Sequence, residues 1–272
     1  MAYRARDGHL LELREEEWVT TGDVTFPEEV RTRQASGRPS VVGSNEWLLE
    51  MSLFGNLWWS DDGTDFSLAL SDPNWGPGVE QPFVSNCAPP SRSSPDVPPV
   101  VMGDLGLLAL VSTNPAEPFG VWPVCEPVVW TSSDGRNWTS TSAVVGTDNA
   151  YVYDVAIRGD TFLAVGGGGI GEAVIWTSED GVTWDPIDFD FGSVDLFSVD
   201  GGPVGWAILG RDTATSAPVG WTSADGRCWE PIPAIAGGTD VVVTDDQVVI
   251  VDRRNYPTLW RGEPTGSTGI CR

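Results

Sequence analysis

One nine-residue frame recurs along this chain and leaves few folds open to it. It reads Trp-x-Ser/Thr-x-Asp-Gly-x-x-aromatic, with the two aromatics eight residues apart. Intact copies run from Trp58 to Phe66, Trp130 to Trp138, Trp176 to Trp184 and Trp221 to Trp229. A fifth, Trp18 to Phe26, keeps both aromatics but reads Gly22-Asp23, and a sixth, around Trp260, has lost the Asp-Gly. Self-similarity at a period of roughly 20–50 residues marks solenoids, propellers and arrays.

Upstream of each frame a turn divides two short β-rich runs. The turns are Asp7-Gly8, Ser44-Asn45, Gly103-Asp104, Gly159-Asp160, Asp200-Gly201 and Asp245-Asp246. Such pairs supply the positive φ of tight hairpins, and alternating runs such as Val155 to Val165 and Val241 to Val251 read as strands. Each repeat is therefore strand, turn, strand, loop, strand, Asp-Gly turn, strand, which is one four-stranded propeller blade. His9 to Glu17 is Leu/Glu-rich and favours helix locally, but the repeat frame places strands there.

The leading aromatics at 18, 58, 130, 176, 221 and 260 are 40, 72, 46, 45 and 39 residues apart. The long interval holds a Pro/Ser-rich stretch, Ser71 to Pro99, with no strand pair of its own. The expectation is an all-β, six-bladed β-propeller in a single domain, 1–272, with repeats 1–30, 36–70, 97–142, 150–188, 192–233 and 237–272 and an inserted loop at 71–96. A seventh blade hidden in the insertion is the alternative.

The Ser-x-Asp-Gly-x-x-Trp hairpin resembles the Asp-box (BNR) repeat of sialidase-like propellers, with Asp and Gly adjacent where the best-known form has a residue between them. The resemblance extends over nearly the whole chain through six frames. It implies a fold more than a function, because that family includes sialidases, other glycosidases, assembly factors and receptor ectodomains.

The box chemistry reads as structural. Asp62, Asp134, Asp180 and Asp225 can each accept backbone N–H bonds across the turn, and Gly63, Gly135, Gly181 and Gly226 take a conformation that a Cβ would penalise. Equivalent places in separate blades are too far apart for these acids to cooperate on one bond. In an antiparallel blade the strand 1–2 and strand 3–4 turns share a face. The strand 2–3 loops and blade connections share the other: 71–99, 113–126, 143–152, 166–172, 185–194, 210–218 and 252–257. Variable loops on a rigid scaffold are where binding usually resides.

Composition removes several function classes. The formal charge of −24 comes from 39 acids against 15 bases, every one an arginine. A field of that sign repels phosphate backbones and anionic lipid, so neither nucleic acid nor a membrane surface is an expected partner. No apolar run approaches the ~18 residues of a membrane span, and the polar start shows no signal peptide. A lone histidine, His9, excludes a Ser-His-Asp triad or a multi-histidine metal site. Cys87, Cys125, Cys228 and Cys271 lack CxxC spacing. They read as disulfides of a secreted or cell-surface protein, Cys87 with Cys125 and Cys228 with Cys271.

The remaining candidates lie in the long loops. Gly166 to Gly171 matches GxGxxG, but it follows a strand and opens no helix, so it reads as a loop rather than a nucleotide cradle. The resemblance would bring a three-arginine clamp to a sialidase. Arg4, Arg6 and Arg158 lie on innermost strands, but Arg6 and Arg158 stand beside box-face turns. Arg211, Arg253 and Arg254, with Tyr256 nearby, could hold an anionic group bidentately; the plain alternative is solvated arginines balancing an acidic surface. Asp148 and Asp154 entering the fourth blade, with Asp188, Asp190 and Asp195 entering the fifth, could place two carboxylates at glycosidase separation or give oxygen ligands to calcium, although no calcium-loop motif is present. Trp75, Trp122 and Tyr151 suit sugar rings or peptide.

The reading that results is an exported, non-catalytic propeller, a monomer or a module of a longer chain, that binds a glycan or an extracellular protein on its loop-rich face without a cofactor. The rival is a glycoside hydrolase using two acids of the top-face cluster.

Overall fold

The computed structural model describes residues 3–6, 9–14, 17–23, 40–43, 48–51, 57–60, 67–70, 100–103, 106–113, 126–135, 138–145, 151–167, 172–232, 235, 237–252 and 258–262. These residues form strands and turns, with no helix among them. The first sheet holds β1 (Tyr3–Arg6), β2 (His9–Arg14) and β3 (Glu17–Asp23). The second holds β4 (Ser40–Gly43), β5 (Leu48–Met51), β6 (Leu57–Ser60) and β7 (Ser67–Leu70). The third holds β8 (Val100–Gly103), β9 (Gly106–Thr113), β10 (Glu126–Ser132) and β11 (Thr139–Ser142).

β12 (Val144–Val145) then pairs in parallel with the outer strand of the fourth sheet, whose own strands are β13 (Tyr151–Arg158), β14 (Thr161–Gly167), β15 (Ala173–Ser178) and β16 (Thr183–Pro186). The fifth sheet holds β17 (Val194–Gly202), β18 (Gly205–Asp212), β19 (Pro218–Ser223) and β20 (Glu230–Pro231). The sixth holds β21 (Asp240–Val243), β22 (Val248–Asp252) and β23 (Thr258–Gly262). Within each sheet consecutive strands pair antiparallel. The Leu/Glu-rich run that favours helix locally is strand β2, because Leu10 and Leu11 pair with both neighbouring strands.

The first strand of each sheet touches the first strand of the next: β1 with β4, β4 with β8, β8 with β13, β13 with β17 and β17 with β21. Sheets arranged this way radiate from an axis, and the chain is an all-β propeller of antiparallel blades. The core lies between blades. Along β14, Phe162 and Ala164 join Leu108, Leu110 and Val129 of the third sheet, while Leu163 and Val165 join Leu196, Trp206 and Ile208 of the fifth. Alternation across a pleat thus feeds two seams from one strand, which is why β14 is buried at every position after its first. A third seam packs Ala207 and Leu209 against Val241, Val248 and Ile250.

Two loop expectations need correction. Asp200-Gly201 lies inside β17 rather than in a turn; the hairpin closes two residues later, where Gly202 pairs with Gly205 around Pro203-Val204. Proline has no N–H to give a ladder, so it sits in the turn. The expected loop at 210–218 shrinks to a tight turn, because β18 runs to Asp212 and β19 starts at Pro218.

Candidate binding face and the box face opposite

The box hairpin of the fourth sheet is built from Ser178, Asp180, Gly181 and Trp184. Asp180 Oδ1 accepts the N–H of Val182 at 2.8 Å and of Thr183 at 2.7 Å. The Ser178 hydroxyl donates to Asp180 Oδ1 at 3.1 Å and accepts the Gly181 N–H at 2.8 Å. Gly181 has φ +74°, and a Cβ there would run into Leu108 Cδ1 of the neighbouring blade. The Trp184 indole N–H donates to the Gly181 carbonyl at 2.9 Å, and the ring is buried, 1% exposed, in the seam with the third sheet. The sequence frame thus closes a loop of side chain on backbone and drives its second aromatic into the core.

The same wiring recurs at Asp225, which accepts the N–H of Arg227 and Cys228 at 2.9 Å, with Ser223 holding the Gly226 N–H. At Asp134, Ser132 Oγ again accepts the Gly135 N–H, and Trp138 donates to the Gly135 carbonyl. The serine role was missed from the sequence, although its place two residues before each Asp was the available signal. Bonds from Thr183 and Val182 hold the Asp180 carboxyl below its ordinary range. Burial pushes Asp225 up, but the bonds from Cys228 and Arg227 outweigh it and the net displacement is downward. Both acids are ionised acceptors committed to their own turns. Asp62 and Gly63 lie outside the described residues.

Arg158 shows that the two kinds of turn share a face. It sits beside the 159–160 turn, and its guanidinium donates to the Ala224 carbonyl of the next box at 2.7 Å and to the Pro203 carbonyl at 3.4 Å. It clamps two blades together rather than holding a ligand, a role that the sequence did not signal.

At the opposite end lie the starts of β13 and β17 and the ends of β14 and β18. Tyr151 opens β13 opposite Gly167 and is half-buried. Gly166 leaves no room for a Cβ against the Tyr151 carbonyl, so the start of the Gly-rich run is strand rather than loop. Arg211 belongs to β18, not to a loop, and stands directly across from Asp195 of β17. Next to it Asp212 Oδ1 accepts the Thr215 N–H at 2.7 Å and the Thr215 hydroxyl at 2.8 Å. The Thr215 hydroxyl and N–H keep the exposed Asp212 carboxyl below its usual range. This staple is what shortens the loop.

The acidic candidates separate into different settings. Asp188 and Asp190 are exposed on a segment whose Ile187, Phe189 and Phe191 pack inward, and Asp190 accepts the Gly192 N–H at 2.8 Å. Phe191 stacks edge-on against Trp221, with ring centroids 5.1 Å apart. The acids point outward because the alternating aromatics fill the seam. Asp154 is not a rim group. It lies within β13, and its two oxygens accept the N–H of Val155 and of Val199 in the next blade, both at 2.9 Å. Burial pushes its carboxyl up to about 7, against the lowering effect of those bonds. Among the described residues no three His, Cys, Asp or Glu side chains form a cluster that could hold a metal. Trp75, Trp122, Arg253, Arg254, Tyr256, Asp148, Cys87, Cys125 and Cys271 all lie outside the described residues. Cys228 is disulfide-bonded.

No protein-family model matches the chain, and no curated protein matches it. Among solved structures it is similar to YCF48 bound to D1 peptide, at 15% identity and TM-score 0.48 over 96% of this chain and 73% of that one. Kluyveromyces lactis Hsv2 aligns at 10% identity and TM-score 0.48, covering 95% of this chain and 84% of that one. An endo-arabinanase from Bacillus licheniformis aligns at 10% identity and TM-score 0.44, covering 83% and 92%.

Proposed function

We propose that this chain is an exported, non-catalytic Asp-box propeller of six blades whose loop-rich face binds a glycan or an extracellular protein. The observation that carries the reading is how its carboxylates are used. Asp180 and Asp225 are spent on box turns, Asp154 on a blade seam, and Asp190 and Asp212 on their own turns. An acid whose lone pairs are committed to backbone N–H is poorly placed to protonate a leaving group or to attack a sugar. The three box networks, with Ser, Asp, Gly and Trp in the same roles, support membership of the Asp-box group.

On this reading Tyr151 and Arg211 contribute to the ligand face together with Trp75, Trp122, Arg253, Arg254 and Tyr256. Aromatic faces would meet sugar rings or peptide side chains, and the arginines would meet carboxylates. Disulfides joining Cys87 with Cys125 and Cys228 with Cys271 belong to the same proposal and suit an oxidising compartment. A glycan array and a peptide array, run beside a hydrolysis screen on aryl glycosides, test the function. Saturable binding without turnover is the expected result. Turnover of a glycoside that Asp188→Asn or Asp190→Asn abolishes would establish the hydrolase instead.

A further inference from the structure

The outer strand of a blade has one paired edge, and its other edge presents N–H and C=O groups that natural sheets blunt with proline, charge or a covering segment. The fourth and fifth sheets use proline and charge at one register. Opposite the box residues Trp176 and Trp221 stand Pro186 and Pro231, each preceded by an acid, Asp185 or Glu230. The Ile187 N–H donates to the Ile175 carbonyl and the Ile232 N–H to the Gly220 carbonyl, both at 2.8 Å. Ladder bonds alternate along a strand, so each proline falls where an N–H would point outward. β12 also covers the edge of the fourth sheet, pairing with Thr183 and Trp184.

The third sheet departs from this pattern. Thr139 and Ser140 take the places of the acid and the proline, with Ser140 opposite the box residue Trp130. The Ala143 N–H donates to the Pro127 carbonyl at 2.9 Å. Thr139 and Thr141 therefore face β10, while Ser140 and Ser142 turn two donors and two acceptors outward. All four residues of β11 are exposed, and among the described residues β10 is its one strand partner. No charged residue lies between Arg136 and Asp148. Leu68 of β7 stands opposite Trp58 at the same register, with its side chain outside the described residues.

We propose that the β11 edge is a second interaction surface, on the rim of the third blade, that takes an extended cationic segment of a partner protein as an added strand. The fold itself shows that a blade accepts a fifth strand at its outer edge, because β12 adds to β16. Main-chain bonds to Ser140 and Ser142 hold the segment, and their small side chains let it approach to the ~4.8 Å spacing of a sheet. Charge selects the occupant. The chain carries −24 at pH 7, and the outer strand of the next blade exposes Asp185. A lysine- or arginine-rich segment is attracted by that field. A second copy of the chain brings the same charge to the contact and is repelled.

The test titrates the whole chain with two labelled peptides, Lys-Lys-Val-Thr-Val-Thr-Val-Lys-Lys and its counterpart with glutamate for lysine, and follows fluorescence anisotropy. The lysine peptide should bind saturably. The glutamate peptide should bind at least about tenfold more weakly, with the gap narrowing as salt is added. Ser140→Pro installs the residue that the fourth and fifth sheets carry at this register, and should weaken binding about tenfold, the worth of one or two main-chain bonds. Ser140→Ala should leave the affinity unchanged, because the backbone rather than the hydroxyl makes the bonds. Binding should also slow hydrogen exchange at Ser140 and Ser142 in wild type, a readout that stands even if Ser140→Pro does not fold. No binding of the lysine peptide, equal affinity in wild type and folded Ser140→Pro, or protection centred on Tyr151 and Arg211 would overturn the proposal. So would a dimer in sedimentation that Ser140→Pro converts to monomer, since the edge would then hold a second copy.

Discussion

The box turns and the blade seams put the same side chain to the same use in opposite surroundings. Asp180 and Asp154 each accept two backbone N–H groups, yet one is held below the ordinary carboxyl range and the other lifted well above it. The difference is what surrounds the acceptor. Asp180 sits in water, so its bonds set the balance; the Asp154 carboxyl is pressed between strands, where desolvation outweighs two bonds of similar length. A hydrogen-bond inventory alone would therefore treat as equal two acids that respond to pH with opposite sign.

The largest effect expected on the box side comes from the buried aromatic rather than the acid. Trp184→Ala empties a site in the seam between the third and fourth sheets, and should cost about 3–5 kcal/mol in denaturant melts. If it cost under 1 kcal/mol, the seams would not be the core. Gly181→Ala should follow at about 2 kcal/mol, because φ +74° strains any Cβ and Leu108 would have to move.

Asp180→Ala should cost about 1 kcal/mol, since water can reach the two N–H groups it leaves behind. Because the Asp180 carboxyl is held low, its contribution is present above the ordinary carboxyl pKa near 4 and is lost as pH falls below it. Asp154 acts in the other direction, losing stability as pH rises toward 7. Wild-type stability should therefore peak in mild acid. A maximum above pH 8 would contradict the contrast between the two sites.

A smaller difference separates two neighbouring boxes. The Trp184 indole N–H is bonded to Gly181, whereas the buried indole nitrogen of Trp229 has no hydrogen-bond partner among the described residues. Trp184→Phe should then exceed Trp229→Phe by about 0.5–1.5 kcal/mol, the net worth of one hydrogen bond. Equal costs would mean that the indole bond adds nothing to the box.

The contrast also shows what the sequence can reveal. Box chemistry is local: Asp180 reaches Val182 and Thr183, so its frame can be read from nine consecutive residues. The burial of Trp184 follows from the same frame. The role of Asp154 depends on Val199, 45 residues away, and nothing in the local pattern separates a carboxylate facing a seam from one in a solvated connection. Asp200-Gly201 misled for the same reason. Its composition is that of a turn, but its carboxylate caps Gly201 and reaches Val243 in the next sheet, and the strand runs on through it. Arg211 read as a loop residue because the Asp212 staple that shortens its loop is visible only once the Thr215 hydroxyl is placed.

The measurement that tests the division of labour most directly is a hydrogen-exchange footprint of the ligand that the arrays identify, taken on wild type and on Asp180→Ala. Protection should appear at the strand ends around Tyr151 and Arg211 and leave the box turns at 178–183 and 223–228 unchanged, and Asp180→Ala should bind with the wild-type affinity. Protection centred on those box turns, or loss of binding in a folded Asp180→Ala protein, would contradict the account.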